Sequence, residues 1–342
     1  MPPALEVKDL TTRFRTDDGV VQAVSGVNFS VEQGATLGVV GESGSGKSVT
    51  FLTVMGLVDP RQADVTGSVL LHGEEMLHAS QHRMREIRGV KIGMIFQDPM
   101  TSLNPVKTIG WQLEEAVLIH QDVSKKEARR RAIEVLKQVE IPHADRRVDD
   151  YPHQFSGGMR QRVMIAMALI NNPEILIADE PTTALDVTTQ AQILRLMERL
   201  QQEFRMAIVM ITHDLGVVAE LADEVIVMYG GRVVEQAKVN DLFAKPEMPY
   251  TWGLLGSLPR LNSSGGRLEQ IPGQPPSLLH PPSGCPFNPR CEYVMNICSE
   301  QLPELDPSPV GDDHRYRCHL DDETRARIWT QKRAAMVSED AA

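Results

Sequence analysis

The sequence predicts an α/β fold: a mainly parallel sheet with helices on both faces. Three observations predict it. Short apolar runs suited to buried strands recur at Ala35–Val40, Val90–Phe96, Glu174–Asp179 and Met206–Thr212, as a sheet covered on both sides requires. Segments with helical spacing alternate with them, at Val49–Leu57, Met159–Asn172 and Ala191–Phe204, and that alternation marks crossover connections. The first apolar run also passes directly into GESGSGKS, Gly41–Ser48, which opens the first of those helices. A strand, a glycine-rich turn and a helix in that order make a phosphate-binding P-loop.

Taken in order, the chain begins with Leu5–Phe14 and Gln22–Val31, β-branched or alternating runs split by the polar turn Thr16–Gly19. They read as antiparallel strands flanking the core. Phe14 is a candidate to stack on adenine, and a core phenylalanine is the alternative, since strands favour aromatics anyway. In the P-loop, glycines let backbone N–H groups crowd round an anion, and the helix N-terminus adds positive partial charge. The candidate nucleotide contacts are Gly41, Glu42, Ser43, Gly44, Ser45, Gly46, Lys47, Ser48 and Val49. Lys47 would reach the β- and γ-phosphates, and Ser48 would offer its hydroxyl to Mg²⁺. Alone, the motif specifies ATP or GTP.

Gly67–His72 and Val90–Phe96 follow as strands, and the second ends at Gln97. The turn-rich DPMTSLNP, Asp98–Pro105, halts the sheet. Trp111–His120 and Lys125–Val139 read as helices, and the charges of KKEARRRAIEVLKQVE form a solvated face. Residues of about 98–170 therefore make a helical insertion. Ser156 is a candidate N-cap for the helix that follows. Asp179-Glu180 ends a buried strand. An Asp there can hold Mg²⁺ through water, and the neighbouring Glu180 is placed to activate the attacking water as a general base. Asp223–Tyr229 and Arg232–Glu235 finish the sheet as a hairpin through Gly230-Gly231.

Bulk properties narrow the classes. The chain has 342 residues, 42 % hydrophobic, and a net charge of −11. That balance supplies a core and no global basic footprint for nucleic acid. No apolar run approaches the roughly 18 residues that span a bilayer. The N-terminus, MPPALEVKDL, lacks the basic start and apolar core of a signal peptide, so the expected compartment is the cytosol. A reducing compartment argues against structural disulfides. Prolines become dense from about Lys245, and all four cysteines lie beyond residue 284. The expected division is a nucleotide-binding domain over 1–244, a loop-rich extension over 245–333, and a disordered tail over 334–342.

Several motifs together resemble those of ABC-transporter ATPases. FSGGMRQR at Phe155–Arg162 is similar to the family's signature sequence, Gln97 to its Q-loop glutamine, TALD at Thr183–Asp186 to its D-loop, and His213 to its switch histidine. The resemblance covers roughly Leu5–Glu235 and implies a P-loop NTPase of ABC type, with an antiparallel β subdomain beside the parallel sheet. It implies ATP sandwiched between two subunits. Ser156, Gly157, Gly158 and Gln161 would meet the partner subunit's ATP, and Asp186 would sit at the dimer face. Gln97 would touch Mg²⁺ or the attacking water, and His213 would contact the γ-phosphate and orient the water. Every catalytic position shows the active type.

The resemblance narrows further. MIFQDPMTSLNP (Met94–Pro105), YPHQFSGGMRQRVMIAMAL (Tyr151–Leu169), IADEPTTALDVTTQAQI (Ile177–Ile193) and PYTWGLLGSLP (Pro249–Pro259) resemble the dipeptide/oligopeptide import ATPases, the peptide/nickel/opine uptake subfamily. Dipeptide-importer subunits are the most similar of these. That implies a second, related ABC ATPase as heterodimer partner, two membrane permeases docked near Gln97–Pro105, and an extracytoplasmic peptide-binding protein. The place would be the cytoplasmic face of the inner membrane, as a peripheral subunit. Nickel chelate, glutathione or haem are alternative cargoes. A soluble, non-transport ABC ATPase and a non-catalytic, ATP-binding regulator are competing readings; an intact Glu180 argues against the second.

Cys285, Cys291, Cys298 and Cys318 are spaced C-x5-C-x6-C-x19-C. Structural zinc sites use tighter cysteine pairs, whereas four thiolates can hold a 4Fe–4S cube. GCPFNPRC with two later cysteines also resembles the pattern of peptide-importer ATPases that carry such a cluster. The expectation is a 4Fe–4S cluster stapling the extension, with Zn²⁺ or free thiols as alternatives.

Overall fold

The computed structural model describes residues 2–98, 102–183, 185–257, 270–309 and 311–339. Residues 99–101 of the turn-rich stretch, Ala184 of TALD, residues 258–259 of PYTWGLLGSLP and residues 340–342 of the expected tail lie outside the described residues. The chain divides into two compact units, each assembled from separated stretches. One, the helical unit, comprises residues 1–6, 30–36 and 70–211; the other, the P-loop unit, comprises residues 7–29, 37–69 and 212 onward.

In the helical unit, strands Ile92–Ile95, Ile175–Asp179 and Ala207–Ile211 pair in parallel, with Ile95 opposite Ala178 and Asp179 opposite Ile211. Every residue of the latter two strands is buried. Each large aliphatic side chain so buried contributes about 1.5–3 kcal/mol, which explains the continuous apolar runs. The helices start where a short polar side chain can satisfy a free N–H. Thr108 accepts from Trp111, Ser124 from Glu127, Ser156 from Met159 and Asp186 from Thr189. Lys125–Gln138 buries only Ala128, Ala132, Val135 and Leu136. Its Arg130 and Arg131 pair with Glu127 of the same helix, so the charged face is solvated, as the sequence predicts.

In the P-loop unit, strand Thr36–Val40 pairs in parallel with Glu224–Tyr229, Leu37 facing Glu224 and Val40 facing Val227. Glu224–Tyr229 turns through Gly230-Gly231 into the antiparallel Arg232–Lys238. Strands Gly19–Val31, Leu5–Thr16 and Ala63–Leu71 lie side by side in that order in a second sheet.

The sheet does not finish at the hairpin. Gly311–Tyr316 pairs antiparallel with Arg232–Lys238, and Asp306–Ser308 pairs in turn with Gly311–Tyr316. These strands cover an edge that would otherwise expose unpaired backbone groups. The segment DPSPVGDDHRY is too polar to announce itself as a strand. A helix, Asp322–Glu339, then runs into the stretch expected to be a tail. It is held by buried Ile328 and Trp329 beside Trp252, and by Trp329 Nε1, which donates to the Ala244 carbonyl at 3.0 Å. The extension thus has a small apolar cluster of its own around Trp252, while Tyr250 joins the core of Val40, Val227 and Tyr229. Both aromatic residues of helix Pro249–Gly256 are at most 1 % exposed.

Candidate nucleotide-binding site

The P-loop is shaped by what surrounds it. Gly41 has φ +148°, and a Cβ there would stand 2.2 Å from the Met228 carbonyl oxygen. Gly46 has φ +99°, and a Cβ there would stand 2.5 Å from the Ala23 carbonyl oxygen. Only glycine lets the loop pass this close to two strands. The Gly231 N–H also donates to the Ser45 carbonyl at 3.0 Å. Helix Lys47–Val54 begins with no side-chain cap, and the positive end of a helix dipole favours an anion there. Buried Lys47 curls back over the loop. Its Nζ donates to the carbonyls of Gly41 at 2.7 Å and Glu42 at 2.9 Å. Ser43 and Gly44 are exposed; Glu42, Ser48 and Val49 are half-buried.

In the same unit, His213 is exposed after strand Ala207–Ile211, and Asp214 caps helix Leu215–Leu221 by accepting from Gly216. Phe14 is half-buried on Leu5–Thr16, neither core nor fully free.

The helical unit holds the other expected residues. Asp179 is buried at the last position of its strand, 6 % exposed. Glu180 follows with φ +47°, a conformation uncommon for a residue other than glycine. Its N–H donates to the Ile211 carbonyl at 2.9 Å, which fixes the turn. Its carboxylate accepts from Gln97 Nε2 at 3.0 Å and from the Thr183 hydroxyl at 2.8 Å. The structure therefore brings Gln97 and Glu180 together across 83 residues of chain. Thr183 is a partner that sequence reading missed. It stands three residues after Glu180, within reach of its carboxylate once the turn is made.

Ser156 and Gly157 are exposed where helix Gly157–Leu169 begins, and a Cβ at Gly157 would meet open space. Gln161 does not share that face. It is 3 % exposed, and among the described residues its Nε2 has no hydrogen-bond partner. Asp186 is exposed and tied to Thr189, accepting from its N–H at 2.9 Å and its hydroxyl at 2.7 Å. Those bonds hold its carboxyl below the usual range.

The metal expectation at the cysteines does not hold. Cys285, Cys291, Cys298 and Cys318 are free thiols. Among the described residues, no group of three or more His, Cys, Asp or Glu is arranged to hold a metal ion. Neither the 4Fe–4S cluster nor Zn²⁺ is supported. Cys285 and Cys298 instead belong to the apolar core with Tyr229, Tyr250 and Phe287, and Cys291 and Cys318 pack against it. Burial pushes the Cys285 thiol up to about 11 and that of Cys318 up to about 12. In this apolar setting the thiols pack as small hydrophobes. Side-chain amides and guanidinium groups do the stapling. Asn288 Nδ2 donates to the carbonyls of Ser283 and Cys285, both at 2.8 Å. Arg317 donates to those of Val233 and Pro303, both at 2.9 Å.

A P-loop in one unit and a buried Asp179-Glu180 strand end beside a Gln97 loop in the other define the ABC class of ATPase. The ABC transporter family model matches residues 24–183, and that of the oligopeptide/dipeptide transporter C-terminal region matches residues 234–298. The oligopeptide transport ATP-binding protein OppD of Bacillus subtilis is 53 % identical, over 92 % of this chain and 88 % of that one. The dipeptide transport ATP-binding protein DppD of the same organism is 51 % identical, over 94 % of this chain and 96 % of that one. Among solved structures, the dimeric ATP-binding cassette MJ0796 bound to ADP and Pi matches with a TM-score of 0.62 and 32 % identity, over 69 % of this chain and 98 % of that one. The chain belongs to the ABC transporter family, in its oligopeptide/dipeptide-transporter ATP-binding branch.

Proposed function

We propose that this protein hydrolyses ATP to power import of di- and oligopeptides through separate membrane permeases. The observation that carries the reading is the Glu180 carboxylate, held by Gln97 and Thr183 directly after a buried Asp179. Its near-full-length similarity to peptide-transport ATP-binding proteins supports the cargo class.

The residue roles follow from the chemistry. Gly41, Glu42, Ser43, Gly44, Ser45, Gly46, Lys47, Ser48 and Val49 bind the phosphates, with Phe14 against adenine. The Ser48 hydroxyl, the Asp179 carboxylate and the Gln97 amide offer hard oxygen ligands of the kind Mg²⁺ takes. Bound Mg²⁺ would neutralise charge on the phosphates. Glu180 takes the proton of the attacking water, and His213 orients that water. Ser156, Gly157 and Gly158 serve the ATP of a partner ATPase, with Gln161 supporting them from inside the helix, and Asp186 lies at that partner's face. Among the described residues no helix is long and apolar enough to cross a membrane. That fits a peripheral subunit on the cytoplasmic face of the inner membrane, working with two permeases, a second related ATPase and a peptide-binding protein.

The test is reconstitution of the assembled transporter in liposomes with its binding protein inside or outside as orientation requires. ATP-driven accumulation of labelled di- or oligopeptide is the expected result. ATP hydrolysis that peptide-loaded binding protein leaves unstimulated, with no peptide accumulation, would overturn the reading.

A further inference from the structure

The C-terminal extension reaches the P-loop. The Glu42 carboxylate, at the second position of the loop, is gripped by both ends of the Arg290 guanidinium, at 2.6 and 3.0 Å. The two residues are 248 positions apart in the chain. The Glu42 N–H donates to the Tyr250 hydroxyl at 2.8 Å. One P-loop residue is thus fixed through its side chain and its backbone, and both partners come from beyond residue 244.

Neither partner is a loose surface side chain. The Arg290 side chain is 4 % exposed. Its Nε donates to the Pro272 carbonyl at 2.9 Å, and its other nitrogens reach the Ile271 carbonyl and the Tyr229 hydroxyl, both at 3.2 Å. The Glu42 carboxylate holds the guanidinium firmly in its charged form. Tyr250 is fully buried, its ring 4.5 Å from that of Tyr229 and 5.4 Å from that of Phe287, centre to centre. The grip therefore has a preorganised, rigid backing, and a bidentate pair of this kind fixes direction as well as distance.

What the grip fixes is the seat of Lys47. Lys47 Nζ hangs on the carbonyls of Gly41 and Glu42, and the orientation of those two peptides depends on where Glu42 is held. The line of contact runs from Arg290 and Tyr250 to the Glu42 backbone, and from there to the ammonium group that meets the phosphates. We infer that Arg290 and Tyr250 are positioning residues for the P-loop, through which the C-terminal extension sets the affinity for ATP. This rests on the nucleotide-binding role proposed for Lys47. Contacts made alike in the ground state and the transition state raise KM and leave kcat nearly alone when lost, and that is the signature expected of a displaced loop whose Lys47 is kept.

The experiment uses the full chain in its assembled transporter. KM for ATP and kcat are measured for Arg290→Gln, Glu42→Gln, the double variant, Arg290→Lys and Tyr250→Phe, with a fluorescent ATP analogue for direct affinity. Arg290→Gln and Glu42→Gln should each raise KM about tenfold, as loss of a charge-assisted pair implies. The double variant should be no worse than either single one. In Arg290→Gln, kcat should stay within about twofold of wild type. Arg290→Lys, which keeps the charge and loses the fork, should recover only part of the affinity. Tyr250→Phe deletes one oxygen from a buried ring, so it gives a readout even if Arg290→Gln fails to fold; it should raise KM about threefold. A wild-type KM in Arg290→Gln and Tyr250→Phe, or additive effects in the double variant, would overturn the inference. Lys47→Ala in the same series separates the two claims. Wild-type affinity there would sink the P-loop reading itself, whereas weakened affinity there with unaffected Arg290 and Tyr250 variants sinks only the positioning role.

Discussion

The P-loop and the Glu180 turn are built on opposite plans. The P-loop is a backbone structure. Glycines let it pass against the Met228 and Ala23 carbonyls, Gly231 holds Ser45, and Arg290 and Tyr250 hold Glu42. Its chemical group, Lys47, is buried against the loop's own carbonyls. The Glu180 turn is a side-chain structure. A wholly buried strand delivers Asp179 and Glu180, and two short polar contacts from Gln97 and Thr183 aim one carboxylate. The difference suits the work proposed for each region. Gripping phosphates needs many N–H groups at fixed places, which only backbone can supply. Moving one proton needs one group, held by a few partners that can let go.

That contrast predicts that damage to the turn lowers rate and damage to the loop lowers affinity. The largest effect belongs to Glu180→Gln. Steady-state hydrolysis should fall by roughly 10²–10⁴-fold, the usual worth of a general base, while binding of a fluorescent ATP analogue is retained; lost binding would break the contrast. Lys47→Ala should weaken ATP affinity by roughly 10- to 100-fold, since it removes charged contacts to phosphate. Titration calorimetry of the full chain reads that directly. Thr183→Val, which removes the Thr183 hydroxyl from the Glu180 carboxylate, should lower kcat about fivefold with KM unmoved. A shift in KM alone would place Thr183 with the binding loop instead.

The smallest effect concerns pH and the brace behind the P-loop. Burial pushes the Glu247 carboxyl up, but Arg325 and Ser308 overcome this and hold it below its ordinary value of 4.5. Arg325 Nε and the Ser308 hydroxyl both donate to it at 2.8 Å. A carboxyl whose value is depressed by folding stabilises the folded chain above its unfolded value and stops doing so as pH falls through the folded one. Thermal stability should therefore decline as the medium is taken below about pH 4.5. Hydrogen exchange within Pro249–Gly256 should rise over the same interval, because Glu235 accepts the N–H groups of Glu247 and Met248 just ahead of that helix. Protection there that is indifferent to acid would dissociate Glu247 from the brace.

The nucleotide motifs are legible because each is local. GESGSGKS carries its own turn geometry, ILIADE its own strand and turn, and Ser156 its own cap. The burial of Gln161 is not legible in the same way, because only the packing of helix Gly157–Leu169 turns its side chain toward the core. The extension is read less well. Its cysteines look like ligands by count and spacing, yet the structure uses them as small apolar filling beside Tyr229, Tyr250 and Phe287. The charged helix Asp322–Glu339 does not announce itself, because its anchor is a buried ion pair, Arg325 with Glu247, and two apolar residues rather than an apolar stripe.

By itself, then, the sequence determined the ATPase class, the alternation of strands and helices, and the residue types proposed to activate water and bind phosphate. Those depend on backbone conformation and hydrophobic period within a few residues. Only the tertiary structure decided that Thr183 and Gln97 share the Glu180 carboxylate, that the extension completes a sheet edge, and that Arg290 and Tyr250 close on Glu42. Those outcomes depend on which distant segments become neighbours when apolar surface is buried, and no local pattern records a contact made across 248 positions.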